Sequence, residues 1–437
     1  MPSRGVSTLD RVQRARRIGA TFTRVYLGIR AQRFVARRLR PPDMAHRWRR
    51  FNRSSAESLY EAAVDLRGLI LKGCQFMGTR ADILPREYVE VLSRLQDRVP
   101  PRPWPVVRRA VEGELGCGIA ELFASFSERP VAAASLAQVH EARLRGGERV
   151  AVKVQYPEVE ALVRSDLASL RFLFRTVGLW ERGVDLMPIV DELATYVPRE
   201  LDFLSEGRNA EILAGHLAGR DDVVVPRIHW AYTTRRLLVM EFMEGVKITD
   251  LEGLERVGID KGRVAQTLVD LYCEQVLRHG FFHADPHPGN VRVQAGAAGK
   301  PRLVLLDFGL ARDLPPEFRK AVVGVAASVL RGDPEGLAAA LVDMGFETRD
   351  GGPEAIADIA RFLVRAAAEL QHLSYLDREA LQRVGRELAE RIRSHPTLCI
   401  PSHVALLGRV LGLLSGVSRS LGSRVDLVRT LLPYALP

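Results

Sequence analysis

The sequence contains little lysine, few cysteines and no long hydrophobic run. Only six of its 63 basic residues are lysines. The four cysteines are widely spaced and form no C-x-x-C pair: Cys74, Cys117, Cys273 and Cys399. This spacing argues against a disulfide framework or a zinc site and favours a reducing compartment. The most apolar stretch, Val404 to Val417, is too short to span a bilayer and contains Arg409.

The N-terminus also lacks the apolar segment of a signal peptide. Together these absences predict a cytoplasmic protein, peripheral on a membrane or free of it, without a transmembrane helix. The positive charge is confined to one end of the chain. Residues 1–53 hold fifteen arginines and two acids, a net charge of +13, whereas the whole chain carries +10. A basic segment is therefore attached to a nearly neutral body.

The most informative motif is the loop that runs from His283 through Asp285 to Asn290, followed by Asp307-Phe308-Gly309. Asp285 and Asn290 are five residues apart, which matches the kinase catalytic loop H-R-D-x-x-x-x-N. In that pattern the aspartate faces the acceptor hydroxyl and the asparagine holds a magnesium ion. The apolar run before Asp307 predicts a buried strand that delivers a second magnesium ligand to a turn.

A competing interpretation takes His283, Asp285 and His287 as three metal ligands on one side of a strand. Pro286 and Pro288 argue against a regular strand there. That model also leaves the spacing to the later acidic turn unexplained, so we favour the kinase loop. His283 then orients the loop, and no catalytic role is assigned to His287.

Lys153 lies in Arg149-Val-Ala-Val-Lys153, which closely matches the kinase V-A-I-K strand. Strand alternation places its three valines on one face and Lys153 on the other, aimed at the phosphates of a nucleotide. A solvent-exposed lysine on a strand is the simpler alternative for this run alone. Within 200–209, we expect a helix on which Asp202 and Glu206 share a face.

A glycine-rich loop, normal before such a strand in a kinase, is missing. Its place is taken by small residues that predict nucleotide contacts of a different geometry: Val131, Ala132, Ala133, Ala134, Ser135, Leu136, Ala137, Gln138 and Val139. Alanine restricts φ where glycine would not. We therefore expect an altered ADP/ATP preference, with side-chain contacts from Ser135 and Gln138. The alternative is the start of an ordinary helix.

Further upstream, Lys72, Gly73 and Gln75 interrupt an apolar helical pattern, so their polar groups need partners. We expect this helix to cover a cleft, with Lys72 meeting the carboxylates of Glu200 and Asp202. A helix kinked at Gly73, with Lys72 in solvent, is the alternative.

Hydrophobic periodicity predicts an α+β chain. It indicates a helix over 9–39, two helices over 56–98 with a break near Asp82 and Pro85, and strands at 137–144, 148–155 and 237–243. Residues 159–217, 262–280 and 315–437 are helical in pattern, and 100–105 form a stiff connector. Four segments follow: a basic amphipathic extension (1–53), a helical extension (54–105), an N-lobe (106–245) and a C-lobe with helical tail (246–437).

Together these motifs resemble the UbiB/AarF family of atypical kinases, which is linked to coenzyme Q and other isoprenoid lipids. The family's K-x-G-Q motif corresponds to Lys72-Gly-Cys-Gln75, and its E-x-D motif to Glu200-Leu-Asp202. The alanine-rich loop and H-A-D-P-H-P-G-N are also present. Gly207 occupies the position after Glu206 where the family often has alanine. Many bacterial members end in transmembrane helices, and we find none here.

The resemblance implies a protein kinase-like two-lobe fold with a helical N-terminal extension and a helical C-terminal tail. It implies an ATPase or small-molecule kinase that uses ATP and Mg²⁺ and regulates isoprenoid quinone or related lipid synthesis. The catalytic residues would be Asp285, Lys153 and Glu206, and the metal ligands Asn290 and Asp307. The hinge residues Glu241, Phe242 and Met243 would receive adenine through backbone groups, and four residues would gate the cleft: Lys72, Gln75, Glu200 and Asp202.

We also expect isoprenoid or quinone precursors, or the enzymes that make them, as partners. A catalytically weak nucleotide-sensing scaffold that presents lipid precursors is one alternative, and a true protein or small-molecule kinase is the other. The basic N-terminus could bind an anionic membrane, bind RNA, target an organelle or remain a solvated arm; its apolar spacing favours a helix at a membrane interface. We expect no nucleic acid partner. The oligomeric state stays open, although residues 404–421 could supply a helical contact surface.

Overall fold

The computed structural model describes residues 8–39, 41–78, 84–96, 101–180, 187–296, 299–348, 352–371, 378–394, 398–399, 401–423, 425, 430–431 and 433–434. The chain divides into two compact units. Unit 1 combines Met1–Ser205 with Ile228–Phe242, and unit 2 combines Glu206–Arg227 with Met243–Pro437. Both extensions fall in unit 1, and residues 206–227 fall in unit 2. The boundaries predicted at 53, 105 and 245 stay a prediction.

Most of unit 1 is helical. Its helices are α1 (Thr8–Arg38), α2 (Met44–Leu66), α3 (Gly68–Gly78), α4 (Arg86–Leu92), α5 (Trp104–Leu115), α6 (Ile119–Leu122), α7 (Val159–Trp180) and α8 (Met187–Glu200). Helix α9 (Phe203–His216) starts in unit 1 and continues into unit 2. Apolar side chains of α1 to α4, α7 and α8 form one continuous core.

The helical extension has one more break than the sequence pattern predicts. Helix α2 ends at Leu66 and α3 begins at Gly68, with Arg67 between them at a φ of 57°. Two consecutive residues with positive φ, Arg67 and Gly68, lie where the two helices meet. Helix α3 continues through Gly73 and ends at Gly78. The break predicted near Asp82 lies outside the described residues, and Pro85 precedes α4.

A buried ion pair fixes α1 to the rest of unit 1. The guanidinium of Arg14 donates from Nε and Nη2 to the two carboxylate oxygens of Asp166 in α7, at 2.6 Å each. Arg14 also donates to the carbonyls of Leu66 and Arg67, where α2 ends. Asp166 is completely buried. The predicted 9–39 helix is therefore confirmed, and one side of it is part of the unit 1 core.

Four antiparallel strands form the sheet of unit 1, in the order β1-β2-β3-β5: β1 (Phe123–Ala133), β2 (Ala137–Leu144), β3 (Arg149–Gln155) and β5 (Leu237–Glu241). One face packs on α5 through a core that includes Val150, Val152 and Val154. The predicted strands are thus confirmed. Helix α5 begins at Trp104, inside the predicted connector 100–105, and Pro100 lies outside the described residues.

Unit 2 contains a second four-stranded sheet, in the order β4-β9-β8-β6: β4 (Val223–Val224), β6 (Val246–Lys247), β8 (Val291–Ala295) and β9 (Pro301–Leu305). In a short antiparallel pair, β7 (Phe281–His283) leads into the predicted catalytic loop and β10 (Ala311–Asp313) follows the Asp307–Gly309 turn. Helices α10 (Leu251–Arg256) and α11 (Lys261–Cys273) come before that loop, and a π-helical turn at Glu274–His279 continues α11 towards β7.

The C-terminal part is helical, as predicted: α12 (Pro316–Arg331), α13 (Pro334–Asp343), α14 (Glu354–Gln371), α15 (Arg378–Ser394) and α16 (Ser402–Ser420). The pattern missed one two-stranded pair, β11 (Glu347–Thr348) with β12 (Leu398–Cys399). These strands have only two residues each, too few to show an alternation. Within the described residues, every helix is too short or too polar to cross a membrane.

The Arg14–Asp166 pair predicts a stability difference between two ion pairs of α1. Replacing Asp166 with alanine leaves the Arg14 guanidinium buried without its carboxylate, which should cost about 3–5 kcal/mol. The matched control is Asp65→Ala, because Asp65 pairs with Arg17 where both side chains are more than half exposed; its cost should stay below about 1 kcal/mol. All four tryptophans lie in unit 1, so tryptophan fluorescence during urea unfolding reports on this unit. Equal losses from both variants would contradict a structural role of the buried pair.

Candidate nucleotide and metal site

Lys153 lies on the face of the unit 1 sheet that points away from the α5 core. Its cross-strand partners are Val139 on β2 and Leu238 on β5. Two positions away on the same face, Ala151 lies opposite Met240. The Nζ atom of Lys153 is 5.1 Å from the ring centre of Phe203, a buried residue. The strand therefore presents an ammonium group beside a patch of small and apolar side chains, as alternation predicts.

The alanine-rich segment is the end of a strand and a tight turn, and the predicted alternative of a helix start is wrong. Residues 123–133 belong to β1, and Ala134 N–H donates to the Ala137 carbonyl across the turn. Tyr156 holds this turn from the end of β3. Its N–H donates to Leu136 O at 3.0 Å, and its hydroxyl donates to Ala134 O at 3.2 Å. Burial raises the pKa of Tyr156 to about 12, so its hydroxyl keeps its proton at neutral pH.

Gln138 is occupied by protein partners. Its Oε1 accepts from Arg102 N–H at 2.7 Å, and its Nε2 lies 2.8 Å from His140 Nε2. Only 1% of the residue is exposed, and Ser135 is also buried. The expected contact of the Gln138 side chain with nucleotide is therefore wrong, because alternation turns this residue to the core side of β2. Val139, its neighbour, is on the Lys153 side.

Lys72 of the helical extension forms an ion pair with Glu200 of α8, with 2.8 Å between Nζ and Oε2. The expected meeting of Lys72 with Glu200 is thus confirmed. Gln75 donates from Nε2 to the Leu95 carbonyl at 2.8 Å, a contact inside the extension. The polar residues of α3 therefore have partners, which removes the need for a solvated Lys72 or a kink at Gly73.

Asp202 caps α9. Its Oδ1 accepts from the N–H groups of Leu204 and Ser205, and its Oδ2 accepts from the Ser205 hydroxyl. The prediction that Asp202 and Glu206 share one helix face is wrong, because a carboxylate that accepts the first helical N–H groups lies before the helix. Glu206 is inside α9 and is 2% exposed. Asn209, one turn further, donates to Phe308 O at 2.9 Å.

His283 joins the two acidic turns of unit 2. It is fully buried, and its Nε2 lies 2.7 Å from the Asp307 carbonyl and 3.1 Å from the Leu306 carbonyl. Carbonyls only accept, so Nε2 carries the hydrogen. The other nitrogen, Nδ1, then accepts from Asp285 N–H and from the Tyr272 hydroxyl, at 3.3 Å each.

Two residues that the sequence interpretation missed fix His283. Gln275 Oε1 accepts from His283 N–H at 2.8 Å. Burial raises the pKa of Tyr272 well above its usual value, and the charge of Asp285 adds to this, so the phenol remains a donor. Both residues lie where α11 passes into the π-helical turn. A π-turn has no simple sequence signal, although such turns are frequent at functional sites.

Asp285 and Asn290 are held next to each other by the loop between them. Asn290 Nδ2 donates to the Asp285 carbonyl at 3.2 Å and to its carboxylate Oδ2 at 3.3 Å. Strand β7 ends at His283, and His287 Nδ1 accepts from Gly289 N–H in the turn that follows. The geometry therefore disfavours three ligands along one strand. Among the described residues, no group of three His, Cys, Asp or Glu side chains is arranged to hold a metal.

Asp307 has an unusual backbone conformation, with a φ of 60°. Strand β9 ends at Leu305, and Leu306 N–H donates to the Asn290 carbonyl. The Asp307 carbonyl accepts from His283, and the Phe308 carbonyl from Asn209. Phe308 is completely buried and packs edge-on against the His283 ring. Non-glycine residues in this region carry strain that the surrounding contacts must offset, and such residues concentrate at functional sites.

The hinge segment follows β5. Phe242 N–H donates to the Arg149 carbonyl at 3.0 Å, and the Arg149 guanidinium lies 4.3 Å from the centre of the Phe242 ring. In an extended strand, the backbone groups of neighbouring residues point to opposite sides. Phe242 therefore uses its N–H within the sheet, whereas the backbone groups of Glu241 point away from β3.

The conformation of Asp307 gives a second prediction. Asparagine tolerates the left-handed region, whereas a β-branched residue does not. Asp307→Asn should change the free energy of unfolding by less than about 0.5 kcal/mol, and Asp307→Val should lower it by about 1–3 kcal/mol. Calorimetric unfolding of both variants checks this. If valine is tolerated as well as asparagine, the strained turn is not a constraint on this site.

Comparisons with known proteins place the chain in a family. Residues 94–341 match the model of the ABC1 atypical kinase-like domain. The chain is 35% identical over 411 residues to the Arabidopsis thaliana chloroplast protein Activity of BC1 Complex Kinase 8, covering 87% of this chain and 54% of that protein. It is 34% identical over 383 residues to AarF domain-containing protein kinase 1 of Xenopus tropicalis, covering 85% and 71%. The chain thus spans about half the length of the plant relative.

A solved structure supports the fold. The complex of Rv3197 with erythromycin from Mycobacterium tuberculosis aligns with a TM-score of 0.61 at 26% identity, covering 88% of this chain and 97% of that one. The predicted fold class, α+β and protein kinase-like with helical N-terminal and C-terminal parts, is confirmed. The chain belongs to the ABC1/AarF family of atypical kinase-like proteins.

Proposed function

We propose that this protein binds Mg·ATP and transfers or hydrolyses its terminal phosphoryl group, as a regulatory ATPase in isoprenoid quinone or related lipid synthesis. The observation that carries the proposal is the assembly of Asp285, Asn290 and Asp307 around the buried His283. Membership in the atypical kinase-like family supports phosphotransferase chemistry. The lipid connection rests on the resemblance of the motifs alone.

The residues of unit 2 fit a magnesium ion. Magnesium prefers hard oxygen ligands and is usually bound through one or two carboxylates together with substrate phosphates. The Asp307 carboxylate and the Asn290 amide oxygen are such ligands. Because Asn290 Nδ2 donates to Asp285, its Oδ1 is the atom that would coordinate the ion. Magnesium would offset the charge of the phosphates. Two protein ligands make its binding depend on the nucleotide.

We assign the roles of the other residues from the motifs. Lys153, on a rigid strand, would hold the α- and β-phosphates, and by resemblance to the family Glu206 would be the carboxylate that orients this lysine. Asp285, kept in place by the bond from its N–H to His283, would orient a water molecule or an acceptor hydroxyl. The turn at residues 134–136, held by Tyr156, would approach the phosphates with its backbone. Lys72 and Glu200 would gate access, while Gln75 and Asp202 support the helices that carry them.

A nucleotide-sensing scaffold that presents lipid precursors is the alternative function. Binding and turnover distinguish the two. An enzyme releases phosphate in proportion to time, whereas a scaffold binds Mg·ATP with no turnover. Both activities should be measured on the full chain, with and without quinone or polyprenyl precursors.

Two substitutions test the catalytic assignment. Asp285→Asn should lower ATP turnover by about 10²–10⁴-fold, because the group that orients the nucleophile loses its charge, while Mg·ATP binding persists. Asp307→Asn should raise the magnesium concentration needed for half-maximal binding, because a neutral amide replaces a carboxylate ligand. Asp222→Asn, an acid outside the motifs that pairs with Arg220, is the matched control and should leave turnover unchanged. Unchanged rates in both motif variants would falsify these roles.

The hinge geometry predicts which nucleotide base the site prefers. With Phe242 N–H already donated to Arg149, adenine recognition falls to the Glu241 carbonyl and the Met243 N–H. Adenine offers a donor to this carbonyl and an acceptor to this N–H, whereas guanine presents an acceptor and a donor at the same two places. GTP should therefore bind at least about tenfold more weakly than ATP, since a mismatched pair leaves buried polar groups unpaired. Competition of GTP and ATP for a fluorescent ATP analogue measures this ratio. Equal affinities would exclude base recognition by these two backbone groups.

A further inference from the structure

Helix α1 has two different sides. On the inner side, Ile18 is 1% exposed, Phe22 packs edge-on against Phe174 of α7, and Arg14 pairs with Asp166. Arg14 contacts Asp166, and Phe22, eight residues later in α1, contacts Phe174, eight residues later in α7. The two helices therefore run parallel along this contact. One side of α1 is therefore packed against the rest of unit 1, which disfavours the alternative of a solvated arm.

The outer side of α1 combines apolar and basic residues. Leu27 and Phe34 are 57% and 62% exposed, although side chains of this size are usually buried. They are seven residues apart, close to two helical turns, so they lie on one line with the exposed Ala31 between them. Arg24 lies one turn before this line, and Arg37 and Arg38 one turn after it, all exposed.

Two kinds of arginine lie along α1. Arg14 and Arg17 bind the carboxylates of Asp166 and Asp65, and so contribute to the fold. Arg24, Arg37 and Arg38 are exposed beside the apolar line, in a segment whose net charge is +13. Among the described residues, Arg24, Arg37 and Arg38 make no ion pair or side-chain hydrogen bond, so their charges favour a negatively charged partner. The apolar side chains between them call for a partner that also accepts hydrocarbon.

We propose that the outer side of α1 docks on an anionic lipid surface. Leu27 and Phe34 enter the acyl boundary, while Arg24, Arg37 and Arg38 contact phosphate headgroups. A lipid surface explains both kinds of side chain at once, whereas RNA explains only the arginines. None of these five residues belongs to the proposed nucleotide-binding set, so this inference goes beyond the proposed phosphoryl transfer. Because the inner side of α1 is fixed to unit 1, docking requires no refolding of the helix.

The test is flotation of the full chain with vesicles of phosphatidylcholine alone or with about one third phosphatidylglycerol. The protein should bind only the anionic vesicles. Arg24→Gln, Arg37→Gln and Arg38→Gln together should weaken this binding about a hundredfold, given about a fivefold loss per removed arginine. Leu27→Glu with Phe34→Glu should weaken it at least about tenfold. Leu411→Glu, at a 65% exposed position on α16, is the matched control and should bind normally.

Each of the next three outcomes would overturn the proposal. Equal binding by the Leu27→Glu, Phe34→Glu variant shows that the apolar line does not touch lipid. Preference for RNA over vesicles in the same assay assigns the arginines to nucleic acid. A change of mass of that variant in analytical ultracentrifugation shows that the line joins two copies of the chain. The Asp285→Asn protein should float like the native protein, which keeps this result independent of the nucleotide site.

Discussion

The hydrogen bonds of His283 are the interaction on which the candidate site depends. One imidazole donates to the Asp307 carbonyl and accepts from the Asp285 N–H. It therefore fixes the distance between two turns that are far apart in the sequence. Because His283 is fully buried, water cannot replace either bond without a cavity. Tyr272 and Gln275 hold the ring, and Phe308 packs on it, so the ring orientation is determined from several sides.

The strained conformation of Asp307 has its explanation in the same contacts. An aspartate at a φ of 60° persists only where its neighbours favour it. Here the carbonyls of Asp307 and Phe308 are bound by His283 and Asn209, and the N–H of Leu306 by Asn290. Strand β9 alone would continue the extended conformation. The turn that aims the carboxylate is therefore a product of tertiary contacts, and it connects packing with the proposed binding of magnesium.

The sequence predicts those parts of the site that depend on alternation and on motif spacing. Lys153 is on the predicted face of its strand, because alternation follows from the period of one element. Lys72 meets Glu200, as the need of its polar group for a partner predicts. The sequence predicts hydrogen-bond partners less well where a polar side chain can bond either to the backbone or to another side chain. Asp202 caps a helix where a face shared with Glu206 was expected, and Gln138 turns into the protein. Tyr272, Gln275 and Tyr156 were missed because they act through contacts distant in the chain.

The most direct test of the central claim is a Mn²⁺ titration followed by electron paramagnetic resonance, with manganese in place of magnesium. Two protein ligands cannot hold the ion alone, so the free Mn²⁺ signal should fall only when ATP is also present, beyond the fall due to ATP itself. In the Asp307→Asn, Asn290→Ala protein, the signal should match that of ATP without protein. If this variant still removes Mn²⁺ from solution as the native protein does, the metal and nucleotide are not held by these residues and the account is wrong.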